Sequence, residues 1–271
     1  MDEKHSNPKI DLYIVSRGRY ERCFTLESLG DVSDVADVKL VVHSDEQDKY
    51  LPLAKKHGVK LVDYRYDGIG HKRQIIGKHA ADKFIVMDDD LTFFKRKSAD
   101  DWHLRKLENN EPQQMLQLIN SYLDSYAHVG VSPREGQNRL EYPCVYNTRY
   151  MRVLAYRKHE YMQCEHNRIQ FMEDFDINLQ LLRKGYDSCL ITTFAQNQAG
   201  TQMKGGCSEQ RTKANHEEAA KKLFDFHHPF VKLRQKQNKT GGEFGSRTEV
   251  TVFWKKALQS YSEGSQTSFI V

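Results

Sequence analysis

The tightest constraint on the fold of this chain is the order of its first ninety residues, where short β-branched runs alternate with amphipathic stretches that end in turn residues. Ile10–Val15 reads as a strand, residues 20–29 as a helix, residues 38–43 as a strand, residues 46–57 as a helix stopped by Gly58, and residues 59–64 as a strand. A helix over residues 71–81 and a strand over residues 84–86 extend the series. Each connection between parallel strands needs a long, right-handed crossover, and a helix supplies it. The order therefore predicts an α/β fold around a mostly parallel central sheet.

Beyond Asp90 the alternation breaks. A polar stretch over residues 95–111 leads into a helix over residues 112–127, residues 130–137 read as a loop, and residues 139–146 and 151–156 read as strands of a mixed second half. Residues 173–184 read as a helix, with Phe175, Leu179 and Leu182 on one face and Gly185 just past the end. A short strand over residues 188–192, a Gly/Gln/Asn-rich loop over residues 196–206 and a helix over residues 208–226 follow. The last thirty residues run from basic through Gly-rich to polar.

With 271 residues, 38% of them hydrophobic and 29% charged, the chain suits one core with extensions. No apolar run approaches the roughly 18 residues of a membrane span, and the start MDEKHSNPK has neither a basic n-region nor an apolar h-region. The five cysteines are scattered and never spaced as CxxC, so neither a disulfide framework nor a zinc knuckle is indicated. A soluble protein of the reducing cytoplasm is expected. Charge is uneven: residues 1–203 hold 29 Lys and Arg against 30 Asp and Glu, whereas residues 204–256 hold 12 against 6. That surplus fits either a polyanionic partner such as nucleic acid or a solvated helix face.

The most informative stretch is Lys83-Phe84-Ile85-Val86-Met87-Asp88-Asp89-Asp90. An apolar strand here delivers three carboxylates to the loop after its C-terminal end, where open α/β sheets bind ligands. Crowded carboxylates repel unless a cation compensates them, and hard oxygens suit Mg²⁺ or Mn²⁺; the bland alternative is a solvated acidic turn. Asp88 and Asp90 are the candidate metal ligands. A metal held by so few protein groups shares its coordination with phosphates. Two basic turns at the same edge could hold those phosphates: Ser16-Arg17-Gly18-Arg19 after the first strand, and Gly68-Ile69-Gly70-His71-Lys72-Arg73 before the acidic one. Ser16, Arg17, Arg19, Lys72, Arg73, Asp88 and Asp89 are thus the candidate donor-binding set. Neither turn is GxGxxG or GxxxxGK[ST], which sets aside dinucleotide-binding and P-loop readings. A second acidic element, Phe171-Met172-Glu173-Asp174-Phe175-Asp176, opens the later helix. Helix capping explains one or two of those carboxylates, and a general-base role for Asp174 or Glu173 explains their placement.

This order of strand, basic turn, Lys-Arg-bearing helix, acidic triplet and later Glu-Asp resembles the GT-A glycosyltransferases, a Rossmann-like fold, over about residues 10–200. A narrower resemblance is to the TET/JBP-associated glycosyltransferases. It rests on Glu173-Asp174-Phe175-Asp176, Gly185-Tyr186, Gln196-Asn197-Gln198-Ala199-Gly200 and Gly205-Gly206-Cys207-Ser208. The resemblance implies a DxD-type site at Asp88 and Asp90, a divalent ion (Mn²⁺ or Mg²⁺) and a nucleotide diphosphate sugar as co-substrate, with UDP-sugar favoured. It also implies transfer to the hydroxyl of a hydroxymethylated pyrimidine in DNA. On it, residues 1–95 form the nucleotide-sugar half and residues 96–200 the acceptor half of a catalytic domain. Residues 201–271 then form an acceptor loop, a helix and a basic extension.

Glycines let the loop over residues 196–208 approach a ligand closely, and its amides can hydrogen-bond sugar hydroxyls or base edges. Gln198, Gly205 and Gly206 are the acceptor-binding candidates. His216, His227 and His228 are the candidates for a further metal ligand. Three other readings keep part of this pattern: transfer to a polysaccharide or protein, a nucleotidyltransferase with the same acidic edge, and a DNA-binding module without turnover.

Overall fold

The computed structural model describes residues 9–199, 212–237 and 245–267. In chain order the elements are β1 (Ile10–Val15), α1 (Phe24–Leu29), β2 (Ala36–His43), α2 (Gln47–His57), β3 (Lys60–Tyr64), α3 (Gly68–His79), β4 (Lys83–Asp88), β5 (Leu91–Arg96) and β6 (Leu104–Lys106). Then follow α4 (Glu111–Tyr122), β7 (His128–Pro133), β8 (Cys144–Tyr146), β9 (Val153–Arg157), α5 (Lys158–Met162), α6 (Glu173–Arg183) and β10 (Ser188–Gln198). The C-terminal part adds α7 (Lys213–His227), β11 (Val231–Gln237), β12 (Ser246–Val252) and α8 (Trp254–Thr267).

One sheet of ten strands runs in the order β3-β2-β1-β4-β9-β7-β10-β5-β6, with β8 also on β10. β3, β2, β1 and β4 are parallel neighbours, and β7 is parallel to β10. The antiparallel β9 sits between the two parallel groups, on β4 and β7. The α/β fold with a mixed second half is therefore as expected.

Strand alternation divides the core between the two faces of the sheet. Leu12, Ile14, Ile85 and Met87 pack with Leu26, Leu53, Met115 and Ile119 of α1, α2 and α4. Tyr13, Val15, Phe84 and Val86 face Ile76, Tyr161 and Leu181 of α3, α5 and α6 on the opposite side. Both faces of β1 and β4 are thus covered, which is why these strands are nearly continuous apolar runs. Gly77 lets α3 approach α5: a Cβ there would lie 2.6 Å from the ring of Tyr161, which is buried and has nowhere to go. Gly77→Ala is expected to cost about 1–3 kcal/mol through overpacking, read from the denaturant midpoint.

Several elements differ from expectation. The expected loop over residues 130–137 is loop only from residue 134: His128–Pro133 form a central strand, β7. Residues 139–146 yield only the three-residue β8, after a 3-10 turn at Gln137–Arg139. The expected helix over residues 20–29 begins at Phe24, because the Thr25 amide donates to the Asp89 carbonyl oxygen and ties the preceding loop to the acidic turn. α3 begins at Gly68, which places Lys72 and Arg73 on its buried face. β10 continues to Gln198, since Phe194 to Gln198 pair with β5. The tail holds a hairpin and a helix: β11 pairs antiparallel with β12, and Leu223, Val231 and Ala257 join Leu179 and Leu182 of α6 in a third cluster.

Candidate active site

The acidic triplet lies where β4 and β5 part, β4 towards β9 and β5 towards β10. Asp88 is the last residue of β4, opposite Val15 of β1. Thr25 fixes the turn that follows: its hydroxyl donates to the Asp88 carbonyl oxygen (2.6 Å) and accepts from the Leu91 amide (2.9 Å). The backbone of the turn is thereby held from α1, and its carboxylates are aimed by the protein rather than by solvent.

Their partners are specific. Asp89 and Asp90 are 4% and 2% exposed. Arg19 Nη1 donates to both, at 2.6 Å to Asp89 Oδ1 and 2.8 Å to Asp90 Oδ2. Ser16 Oγ donates to Asp89 Oδ2, and Tyr50 OH both pairs with Ser16 Oγ (2.8 Å) and accepts from the Arg19 amide (2.9 Å). Gln198 Nε2 donates to Asp90 Oδ2 (2.8 Å), and the Ala199 amide donates to the Asp90 carbonyl oxygen (2.7 Å). Asp90 Oδ1 is buried without a hydrogen-bond partner. A buried carboxylate oxygen left unsatisfied is costly, so it marks a position for a cation or donor.

Burial pushes the Asp88 carboxyl up to about 6, assisted by the charges of Asp90 and Asp89 and opposed by Arg73. Burial raises Asp89 as well, against the pull of Arg19 and Ser16. The second acidic element meets this edge through Arg73, whose Nη1 lies 2.5 Å from Glu173 Oε1 and whose Nη2 lies 3.8 Å from Asp88 Oδ1. Burial, with the Asp174 charge, pushes Glu173 up to about 7 despite that guanidinium. Met172, in the left-handed region at φ 65°, turns the chain into α6. Asp174 Oδ1 accepts from the Phe175 amide (3.0 Å), and Asp174 lines a narrow cleft with Glu173, Arg73, Gly70 and Asn167.

Not every sequence candidate converges here. Ser16, Arg19, Asp88, Asp89, Asp90 and Gln198 form one cluster, and Arg73, Glu173 and Asp174 adjoin it. Arg17 instead pairs with Asp45 (2.7 and 3.0 Å) in the 3-10 turn that precedes α2. Lys72 is buried with its ammonium 4.9 Å from the centre of the Tyr66 ring, and its charge acts on Asp88. Gly205 and Gly206 lie outside the described residues. Thr25 and Tyr50 were missed: a threonine opening a short helix and a tyrosine on an amphipathic helix read as core, and no local signal separates them from it.

The histidines are engaged elsewhere. His227 Nε2 lies 2.7 Å from Asp176 Oδ1, and Arg168 grips the same carboxylate at 2.6 and 2.9 Å. His216 faces Glu249 at 3.6 Å, and His228 caps α7 beside Phe224. Burial works against the Asp176 charge, but the Arg168 and His227 hydrogen bonds outweigh it and hold the carboxyl below its ordinary value. A depressed folded pKa stabilises above the unfolded value, and the contribution is lost as pH falls through the folded one. Asp176→Asn is expected to cost about 3 kcal/mol at pH 7, by uncoupling α6 from Arg168 and α7. The deficit should begin to shrink as pH falls below about 4 and close only below the depressed folded value, where the native carboxylate takes up its proton; equilibrium unfolding across pH reads both effects.

Comparisons place the chain among known proteins. By structure it is similar to a 4-diphosphocytidyl-2C-methyl-D-erythritol synthase from Anaerococcus prevotii (10% identity, 72% of this chain and 92% of that one, TM-score 0.44). It is also similar to the inositol-1-phosphate CTP transferase from T. maritima (10% identity, 81% and 98%, TM-score 0.43). A third similarity is to the glycosyltransferase GlyE of Streptococcus pneumoniae TIGR4 (14% identity, 67% and 45%, TM-score 0.39). No curated protein sequence matches the chain. Among the described residues no helix is long and apolar enough to cross a membrane. The family model of the TET-Associated Glycosyltransferases matches residues 10–206, a span that holds both acidic elements and all ten strands of the large sheet, and the chain belongs to that family of glycosyltransferases.

Proposed function

We propose that this enzyme moves a sugar from a nucleotide diphosphate sugar, with a UDP-sugar the favoured donor, to the hydroxymethyl group of a modified pyrimidine in DNA, with Mn²⁺ or Mg²⁺ at the acidic edge. The observation that carries the reading is the meeting of two acidic elements about 85 residues apart, Asp88 with Asp90 and Glu173 with Asp174, at the C-terminal edge of one sheet.

The ligand set fits a divalent ion in part. Asp90 Oδ1 is an unpartnered, buried, hard oxygen, and Asp88 stands beside it with 31% of its side chain exposed. Among the described residues no group of three or more His, Cys, Asp or Glu side chains is disposed to hold a metal. Asp88 and Asp90 would therefore hold the ion together with phosphate oxygens of the donor and water, as hard cations with few protein ligands are held. When bound, it supplies charge neutralisation for the leaving diphosphate.

The chain's own residues account for the rest. Arg19 stands at the triplet, held by Asp89 and Asp90, where a guanidinium can meet the donor phosphates. Asp174 accepts the proton of the acceptor hydroxyl as its oxygen bonds the anomeric carbon and the bond from that carbon to the phosphate oxygen breaks, releasing the nucleoside diphosphate. Gln198, hydrogen-bonded to Asp90, carries the start of the acceptor loop to the same edge. The basic tail supports the DNA acceptor: six of the seven residues of β11 are exposed, among them Lys232, Arg234 and Lys236.

The deciding experiment is a donor screen with hydroxymethylated duplex DNA and Mn²⁺, read by intact-nucleoside mass spectrometry. A mass increment of one sugar is expected. Free pyrophosphate from a nucleoside triphosphate would instead identify a nucleotidyltransferase. The logarithm of the DNA association constant should fall linearly with the logarithm of salt concentration, because phosphate neutralisation releases counterions. A flat response would favour a polysaccharide or protein acceptor.

A further inference from the structure

We infer that Arg73 is a positioning residue, a strut that fixes the acidic edge of β4 to the base-bearing start of α6, and not a ligand of the donor phosphates. The inference rests on the transferase reading above and assigns within it a role that the sequence pattern alone gives to phosphate binding.

The geometry is one-sided. Arg73 is 7% exposed, and its guanidinium reaches Glu173 Oε1 with Nη1 and Asp88 Oδ1 with Nη2. Little surface remains for a diphosphate. Both ends of the strut are anchored by backbone constraints. On the α3 side, Gly70 packs so closely that a Cβ would lie 3.1 Å from the Asn167 Cα, and Gly77 is pressed against Tyr161. On the α6 side, Met172 in the left-handed region sets the direction in which Glu173 leaves the turn. The strut therefore joins α3, packed on α5 and the Asn167 segment, to the start of α6, and the guanidinium compensates one carboxylate from each acidic element.

The consequence is a division of labour. Glu173 is committed to Arg73, so its neighbour Asp174, lining the same cleft, is the carboxylate left to receive the acceptor's proton. The separation between that base and the donor edge is then set by the length of one buried side chain. A displacement of about 1 Å at a reacting centre can cost about 10²-fold in rate without altering ground-state binding.

The test uses the full chain with Arg73→Gln, Arg73→Lys, Glu173→Gln and the double variant Arg73→Gln/Glu173→Gln. UDP with Mn²⁺ is the binding probe, followed by calorimetry. Arg73→Gln is expected to lower kcat by about 10²-fold with UDP affinity held within about threefold, and Arg73→Lys to recover part of kcat. A tenfold or greater loss of UDP affinity at unchanged kcat would make Arg73 a phosphate ligand and overturn the inference. A thermal-denaturation cycle covers a poorly folding single variant and an enzyme inactive with every donor tried. The double variant should melt closer to wild type than Arg73→Gln does, because it removes the stranded carboxylate together with its partner. Simple addition of the two single losses overturns the strut whatever the activity. A coupled cycle with no transfer by the wild-type protein leaves the strut standing and removes the transferase reading instead.

Discussion

Asp174→Asn is expected to lower sugar transfer by about 10²–10⁴-fold while leaving the affinity for the nucleotide donor nearly unchanged, the range that loss of a positioned general base produces. Asp174 stands in the first turn of α6, where the helix dipole favours a carboxylate, and the Phe175 amide fixes its orientation. Asparagine keeps the hydrogen bond to that amide and removes only the basicity. The variant should therefore fold with at most the small loss of stability that a first-turn charge contributes, about 0.3–1 kcal/mol, and the loss of function should fall on kcat at saturating donor and acceptor. Calorimetric titration of the donor supplies the control. Retained turnover would move the base to Glu173, or point to a retaining reaction that takes no proton at this position.

Why Asp174 was legible and its surroundings were not has a physical answer. Short-range rules suffice for β1 to β4, because each is an apolar run covered on both faces and set off by turn residues. The acidic elements are legible for a related reason: carboxylates at the end of a buried strand, or crowded into a first helical turn, are expensive unless something uses them. β7 was hidden by its own glycine. Gly130 reads as a loop, yet it lies in the strand because the Tyr150 ring fills the space a side chain would occupy; a Cβ would come within 2.5 Å of it. The polar end of β10, Gln196 to Gln198, reads as a loop for the same lack of apolar pattern, and only its pairing with β5 makes it a strand. β11 shows one buried residue in seven, so no alternation exists for a pattern to find.

Charge is less legible in the sequence than hydrophobicity. The two basic turns were expected to act together, but ion pairing is decided by partners distant in sequence. Asp45 claims Arg17 from 28 residues away, and Glu173 claims Arg73 from 100 residues away. Only Arg19 reaches Asp89 and Asp90. Nothing in the local sequence distinguishes it from Arg17, two positions earlier; the difference arises because the Arg19 amide is held by Tyr50.

Asp88→Asn is expected to have two opposite effects, and their combination tests whether this edge is built for a cation. Transfer should fall on the order of 10³-fold, the scale of losing a transition-state charge stabiliser. Stability of the protein in chelator should move the other way. Burial and the flanking Asp90 and Asp89 charges raise the Asp88 carboxyl to about 6, with Arg73 and Lys72 only partly offsetting them. A carboxyl whose folded pKa exceeds its unfolded value of 3.8 favours folding most at low pH, and that advantage is lost as pH rises towards 6. Asparagine carries no charge to desolvate, so below about pH 4 the two proteins should melt together, and above pH 6 the variant should melt higher. Adding Mn²⁺ should raise the melting temperature of the wild-type protein and leave that of the variant nearly fixed, since only the former gains a bound ion in its native state. A variant that melts lower than wild type at pH 7 in chelator would mean that the pairing of Asp88 with Arg73 outweighs the cost of burying its charge, and the case for an ion at this edge would then rest on Asp90 alone.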